Sequence, residues 1–361
     1  MKIAFNAAVI VDDILYYSDY RINALMMIDL MSNSVHYLGE FPNEAGEKNI
    51  HKACIKNNNY LYFIPSCGQN IHIYDLANEE LTYKKITKNN PGEACFAGGF
   101  IKDDELWVLP WNINQDIIIW NFNTDIISTT SFLKNQMKDR SIKPVQFFWK
   151  YIICNDCIYF GVLGTSMIAR WNLNDNSFLI IETDIMKIEG IYCLNNTIYV
   201  ATSNAKVYIW DQEKNISEEL HLSNVENESY VVANIDSNII LIPVYGNKIL
   251  MKKPNKDNFY YVNSEKELKI SGVNNRVNFE GYISWHDQIV LMNNYGFEFL
   301  YILTKEGLKS VDVSFETDRD KKLYEEKLKR VGKETIYNQI VNEEVDYSFD
   351  EFIKFLEVID G

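Results

Sequence analysis

Residues 51–86 read HKACIKNNNYLYFIPSCGQNIHIYDLANEELTYKKI. His51 to Lys56 is a first strand-forming run, and Asn57-Asn58-Asn59 interrupts it. Tyr60 to Pro65 forms a second run, Ile71 to Asp75 a third and Leu81 to Ile86 a fourth. Asn and Asp tolerate left-handed backbone and bond their own backbone, so they favour tight reversals. Aromatic and β-branched residues fill the runs between the reversals, as suits a pleated surface. The segment therefore predicts four short antiparallel strands in a meander.

The same phrase recurs along the chain about every 40–50 residues, a period typical of propeller blades. The copies contain DDILYYS…LMMIDL, NNNYLYFIPS…IHIYDL, DDELWVLPW…IIIWNF, NDCIYFGV…IARWNL, NNTIYVATS…VYIWD, DSNIILIPV…ILMKK and HDQIVLMNN…FLYIL. First-to-second turns fall at Asp12-Asp13, Asn57–Asn59, Asp103-Asp104, Asn155-Asp156, Asn195-Asn196, Asp236–Asn238 and His286-Asp287. Third-to-fourth turns fall at Asn33, Asn78, Asn123-Thr124, Asn174–Asn176, Lys214-Asn215, Asn255–Asp257 and Glu306-Gly307. In a ring of such meanders both series share one face, the lower. The opposite face carries the longer and more varied loops.

The third-strand endings Ile28-Asp29, Tyr74-Asp75, Trp120-Asn121, Trp171-Asn172 and Trp210-Asp211 resemble those of WD40 and kelch repeats. The resemblance spans about residues 3–313 at the level of the blade pattern. It implies the β-propeller superfamily and no narrower group. The Gly-His pair of WD40 repeats is absent, as is the kelch double glycine; Pro65, Pro110 and Pro243 stand near the latter's place. The expected fold is all-β: a seven-bladed β-propeller of four-stranded antiparallel blades over residues 1–315, with a short helical tail over 316–361. Six blades would follow if the first copy were irregular.

The tail breaks the pattern. Thr317 to Val331 is charged and helix-forming, with Gly332 as its expected stop. An Asn/Glu-rich linker follows. Ser348-Phe349-Asp350-Glu351 then opens a last helix with a capping-box signature. Phe349, Phe352, Ile353, Leu356 and Ile359 form an apolar stripe along that helix. Packing against the first–last blade junction is the plain expectation. Docking of a partner or oligomerisation is the sharper one.

The chain carries 35 Lys and Arg against 50 Asp and Glu, a formal net charge of −15. Such a surface repels nucleic acid and anionic membranes, so neither is an expected partner. The N-terminus offers no cleavage site of the secretory kind, and no run has transmembrane length. The six Cys form no spaced framework, which predicts a reduced protein of the bacterial cytoplasm. No cofactor or metal site is expected. Cys154-Asn155-Asp156-Cys157 lacks a second ligand pair and flanks a hairpin turn, so it reads as two small apolar residues closing that hairpin.

Candidate chemistry gathers at two places. First strands run down a central channel, where His51, Glu93, Gln146, Glu189 and Glu280 occupy upper ends. Carboxylates and an imidazole there suit acid–base work on a carbohydrate or small molecule, as in a propeller lyase or hydrolase. Glu189-Gly190 and Glu280-Gly281 align with Ala53 and Gly98, which also suits small residues where strands crowd the axis. The second place is the upper loops, with Tyr20, Arg21, Gln69, Asn70, Trp111, Asn112, Gln115, Asn204, Lys206, Tyr245, Asn247, Asn294 and Tyr295. Aromatic faces mixed with amides suit a protein, peptide or glycan surface. The expected function is thus recognition by a non-catalytic scaffold, within a bacterial biosynthetic or surface-assembly system; the channel enzyme is the alternative.

Overall fold

The computed structural model describes residues 3–342 apart from 45–47, 67, 87–94, 112–114, 139–146, 223–228, 245–247, 255, 257, 263–278 and 298. The chain is built from antiparallel sheets. Sheet A has nine strands. It joins Ile3–Val11, Ile14–Asp19, Leu25–Asp29 and Ser34–Gly39 to Phe279–Trp285, Gln288–Phe297, Leu300–Leu303 and Leu308–Val311. Ser314–Phe315 adds to its edge, parallel to Ser34–Gly39. Five four-stranded sheets follow in chain order. Sheet B spans 51–85, sheet C 96–130, sheet D 147–182, sheet E 188–219 and sheet F 230–261. Sheet B contains His51–Asn57, Tyr60–Pro65, Asn70–Asp75 and Glu80–Lys85, within a residue of the predicted strands.

Turn chemistry explains the meanders. The first-to-second turns hold left-handed residues at Asp12, Asn58, Asp103, Asn155, Asn195, Asp236 and His286, with φ between 49° and 55°. Side chains as short as Asp and Asn adopt this region at small cost. The Asp or Asn that ends a third strand caps the next turn. Asp29 Oδ1 accepts from the backbone N–H groups of Met31 and Ser32, Asp75 Oδ1 from those of Ala77 and Asn78, and Asp211 Oδ1 from those of Glu213 and Lys214. The preceding indole reaches the far side of the turn: Trp120 Nε1 donates to Asp125 and Trp210 Nε1 to Asn215. The Asp/Asn endings are therefore turn caps.

Innermost strands succeed one another. His51–Asn57 contacts Ile3–Val11 and Phe96–Lys102, Phe147–Cys154 contacts Phe96–Lys102 and Ile188–Leu194, and Tyr230–Ile235 contacts Ile188–Leu194 and Phe279–Trp285. Phe279–Trp285 in turn contacts Ile3–Val11. Apolar faces of adjacent sheets interdigitate; Tyr62, Ile64 and Ile71 of sheet B pack with Leu106, Val108 and Trp120 of sheet C.

Among the described residues two helices interrupt the sheets. Helix α1, Phe132–Lys138, lies in the C-to-D connection. Helix α2, Asp318–Asn342, is 25 residues long and packs beside Ser34–Gly39. It continues through Gly332, where the sequence predicts a stop. One mid-helix glycine costs about 1 kcal/mol, and the helix-forming residues after it carry the helix on. The last predicted helix, from Ser348, lies outside the described residues. Among the described residues no helix is long and apolar enough to cross a membrane.

Candidate functional site

The upper loops are tied by backbone hydrogen bonds, some within one sheet and some from one sheet to the next. Asn49 N–H donates to Tyr20 O, Ser66 N–H to Ile50 O, Phe96 N–H to Ser66 O and Trp111 N–H to Cys95 O, at 2.6–2.8 Å. Further round, Ser203 N–H donates to Lys187 O and Val244 N–H to Ser229 O. Loops joined in this way present side chains from a fixed frame.

The predicted binding residues separate on that frame. Tyr20, Gln69, Trp111 and Gln115 are half-buried. Lys52 Nζ stands 5.5 Å from the centre of the Trp111 ring. Asn204 Oδ1 accepts from the Thr202 hydroxyl at 2.5 Å. Lys206 pairs with Glu219 at 2.7 Å, and Tyr208 shares the same carboxylate. Asn70 turns inward: it is buried, and its Nδ2 donates to Asn43 O at 2.8 Å. Asn294 and Tyr295 fall within strand Gln288–Phe297, which runs past the expected loop start. Asn112, Tyr245 and Asn247 lie outside the described residues.

Arg21 is engaged with the helix. Its guanidinium pairs with Asp19 at 3.0 Å and hydrogen-bonds Tyr324 of α2. The Tyr324 hydroxyl in turn donates to Asp19 Oδ2 at 2.9 Å. Burial, with the Asp19 charge beside it, pushes the Tyr324 phenol well above its usual range, so it remains a donor. Lys327 and Arg330 both reach Glu40. Together with Tyr324 and Val331 in the apolar cluster of sheet A, these contacts pin α2 against the edge strands Ser34–Gly39 and Ser314–Phe315. A cavity of about 560 Å³ opens between the first turns of α2, residues 313–315 and Arg21. The sequence pattern places Arg21 on a loop but carries no sign that a residue 303 positions away will meet it.

Glu93 and Gln146 lie outside the described residues, and Glu280 sits in strand Phe279–Trp285. Glu189 is half-buried next to Gly190. A Cβ at Gly190 would lie 2.6 Å from the Tyr192 hydroxyl, which donates to Tyr230 O at 3.2 Å. Likewise Tyr151 lies over Gly98 and donates to Gly99 O at 2.5 Å. The aligned glycines thus make room for tyrosines that bridge neighbouring innermost strands.

His51 does not face the channel. It lies between sheets A and B with 1% exposure, in a hydrogen-bonded chain. Its Nδ1 is 2.8 Å from Ser18 Oγ and its Nε2 2.8 Å from His72 Nδ1; His72 Nε2 is 2.9 Å from Pro42 O. The carbonyl can only accept, which fixes every proton in the chain. His72 Nε2–H donates to Pro42 O, His51 Nε2–H donates to His72 Nδ1, and the Ser18 hydroxyl donates to His51 Nδ1. Both imidazoles are neutral in this arrangement. Burial pushes His72 down to about 4, and burial with the His72 neighbour holds His51 well below its usual range. The sequence-based assignment of His51 to an acid–base role is corrected on this geometry.

Of the cysteines, Cys154 and Cys157 pair across their hairpin as predicted, and both are free and buried. Burial, with Cys193 and Cys157 nearby, pushes the Cys154 thiol up to about 12. Cys95, in contrast, is disulfide-bonded.

Comparison with known proteins places this geometry. No protein-family model matches the chain, and no curated protein matches it. Solved structures do. The extracellular domain of the one-component system BT4673 from B. thetaiotaomicron superposes with a TM-score of 0.59 at 11% identity, covering 85% of this chain and 38% of that one. PorZ, a bacterial surface component of the type-IX secretion system of Porphyromonas gingivalis, gives 0.58 at 12% identity, covering 88% and 39%. A chain of the mitotic checkpoint complex gives 0.54 at 9% identity, covering 86% and 87%. The fold is a β-propeller. The chain spans about two fifths of the length of the first two structures. At these identities the likeness concerns the architecture alone: the propeller blade pattern is shared.

The cytoplasmic assignment is corrected. Propeller neighbours of this chain include extracellular and surface components. The disulfide at Cys95 also departs from the reduced state that the scattered cysteines suggested. Disulfides persist in oxidising surroundings and are rare in the cytosol.

Proposed function

We propose that the chain is a seven-bladed propeller acting as a non-catalytic recognition scaffold. Sheet A is read as the first and last blades joined edge to edge. Ile3 pairs with Phe297 and Phe5 with Asn293, and Asn293 Nδ2 donates to Ile3 O. At the lower end Trp285 Nε1 donates to Asp13, and His286 lies 2.8 Å from the same carboxylate. With the contacts between innermost strands, these support a closed ring over residues 1–315, held shut by the tail that begins at 316.

The fate of His51 carries the functional reading. Its imidazole serves the seam between two blades, which takes the acid–base group away from the channel enzyme. What the frame presents outward is the loop set with Tyr20, Gln69, Trp111 and Asn204. Flat aromatic groups and amides on a rigid ring suit a protein, peptide or glycan partner. A bacterial surface-assembly or biosynthetic system is the setting in which we place it.

Site-specific photo-crosslinking tests the reading. A benzophenone side chain replaces Tyr20, Trp111 or Asn204 on the upper loops, or Asn78, Asn123 or Lys214 in the lower turns. Extracts of the native host should yield a shared crosslinked partner from the upper set. Crosslinks from the lower set alone would overturn the assignment of the face.

A further inference from the structure

Three of the free cysteines meet at the seam between sheets D and E. Cys154 ends the first strand of sheet D, Cys157 opens the second, and the two stand directly opposite across the Asn155-Asp156 turn. Residues so placed in an antiparallel pair have Cα atoms about 4.5–5.5 Å apart, within the range that a disulfide spans. Cys193 belongs to the first strand of sheet E and packs into the same apolar cluster, near the Cys154 thiol. Among the described residues no group of three metal-binding side chains is spaced to hold a metal ion. Asn155 and Asp156 are exposed, so the buried pair stands one residue from the solvent-exposed tip of its hairpin.

A cation separates the roles of the two opposed thiols. Arg170, on the third strand of sheet D, lies opposite Tyr159 and so shares a face with Cys157. Its Nε–H donates to Cys157 Sγ at 3.3 Å. That contact acts on the guanidinium more strongly than the Asp175 carboxylate does. A guanidinium beside a sulfur favours the thiolate, which is the nucleophilic form. Cys154 is held in the opposite state. Burial, with Cys193 and Cys157 beside it, pushes its thiol up to about 12, so it keeps its proton at neutral pH. One sulfur is thus prepared to attack, and the one facing it brings a proton.

We propose that Cys157 and Cys154 form a hydroperoxide-responsive site that closes reversibly to a disulfide. The Cys157 thiolate attacks one oxygen of the hydroperoxide. The O–O bond breaks, an S–O bond forms, and sulfur gives up two electrons. The alkoxide that leaves, or hydroxide from hydrogen peroxide, takes up the proton that Cys157 lost on ionising. The Cys154 sulfur then attacks the Cys157 sulfur. The S–O bond breaks, the S–S bond forms, and hydroxide departs with the Cys154 proton as water. In total two thiols and one hydroperoxide give a disulfide, an alcohol or water, and one further water. Cys154 arrests Cys157 at the sulfenic stage, before oxidation becomes irreversible. Arg170 is the positioning residue, acting through its hydrogen bond to Cys157. A dithiol reductant restores both thiols by exchange. The site lies at a seam between sheets and does not depend on the upper loops.

The test uses the full chain and hydrogen peroxide, with peptide masses read after alkylation and tryptic digestion without reductant. Cys154 and Cys157 share the tryptic peptide 151–170, so their disulfide reads as the loss of two hydrogens. That loss should appear before any oxidation of Cys54 or Cys193, although those two are half-buried and the reacting pair is buried. Dithiothreitol should reverse it. Arg170→Gln keeps a donor without the charge and should slow the reaction at least about fivefold. Cys154→Ser should leave Cys157 as a dimedone-reactive sulfenic acid that goes on to the sulfinic acid. Cys193→Ser should leave the disulfide intact. Thermal unfolding of each variant checks that the fold is kept. Three results would overturn the proposal: Cys54 or Cys193 oxidised first, a Cys154–Cys193 disulfide in place of Cys154–Cys157, or a rate indifferent to Arg170→Gln. The first two are read on the wild-type chain and need no variant to fold.

Discussion

The His51–His72 chain makes a quantitative prediction about acid. An imidazole ordinarily titrates near 6.5, and burial pushes His72 down to about 4. The folded-state value is depressed, so the unfolded chain takes up the proton first. The stability held by the neutral chain is therefore complete above pH 6.5 and is lost as pH falls from 6.5 towards 4. The gap is worth about 3 kcal/mol in full, and linkage gives about 2 kcal/mol of that by pH 5. His51 is depressed by the same burial and adds in the same direction. The perturbation is His51→Gln with His72→Gln. Glutamine keeps a donor and an acceptor in the chain of Ser18, two side chains and Pro42 O, but it does not titrate. Urea unfolding of both proteins at pH 7 and pH 5 reads the difference. Wild type should lose at least about 2 kcal/mol more than the double variant over that interval, although the variant is about 1 kcal/mol less stable at pH 7. Parallel losses in the two proteins would refute the neutral buried chain.

Three further outcomes follow from the geometry. Tyr324→Phe removes a donor from fully buried Asp19 and should cost about 1–3 kcal/mol in urea unfolding, with faster proteolysis of α2; unchanged cleavage would show that the helix is held by other contacts. Gly190→Ala forces the Tyr192 ring aside and should cost about 1–3 kcal/mol, less in a Tyr192→Leu background; equal cost in both backgrounds would place the strain elsewhere. Under denaturation, iodoacetamide should label Cys54, Cys154, Cys157 and Cys193 directly and Cys95 only after reduction, read by peptide mass; labelling of Cys95 without reductant would remove the disulfide and with it one ground for an oxidising compartment.

The meanders were legible because their determinants are local. Asn58, Asp103 and Asn155 turn the chain through backbone angles that neighbouring residues do not influence, and Asp29, Asp75 and Asp211 cap turns two or three residues away. The Cys154–Cys157 hairpin was readable for the same reason. His51 was not. Its position at the start of a first strand said that it lay near the axis, but side-chain direction depends on the register shift between His51 and Ala53, and on Ser18 and His72 arriving from two sheets. The contacts of Arg21 with α2 were equally beyond reach, since Tyr324 comes to it from the other end of the chain.

The sequence by itself determined the repeated four-stranded meander, because turn geometry and alternating burial act over a few residues. Tertiary structure alone decided which polar residues became seams and which remained at the surface. It carried His51 and Arg21 into buried networks, joined Ile3 to Phe297, and laid α2 against the edge strands Ser34–Gly39 and Ser314–Phe315. Those outcomes rest on partners distant in the chain. Burial there makes an unpaired polar group costly, so each such residue is settled by whichever donor or acceptor the assembled sheets bring to it.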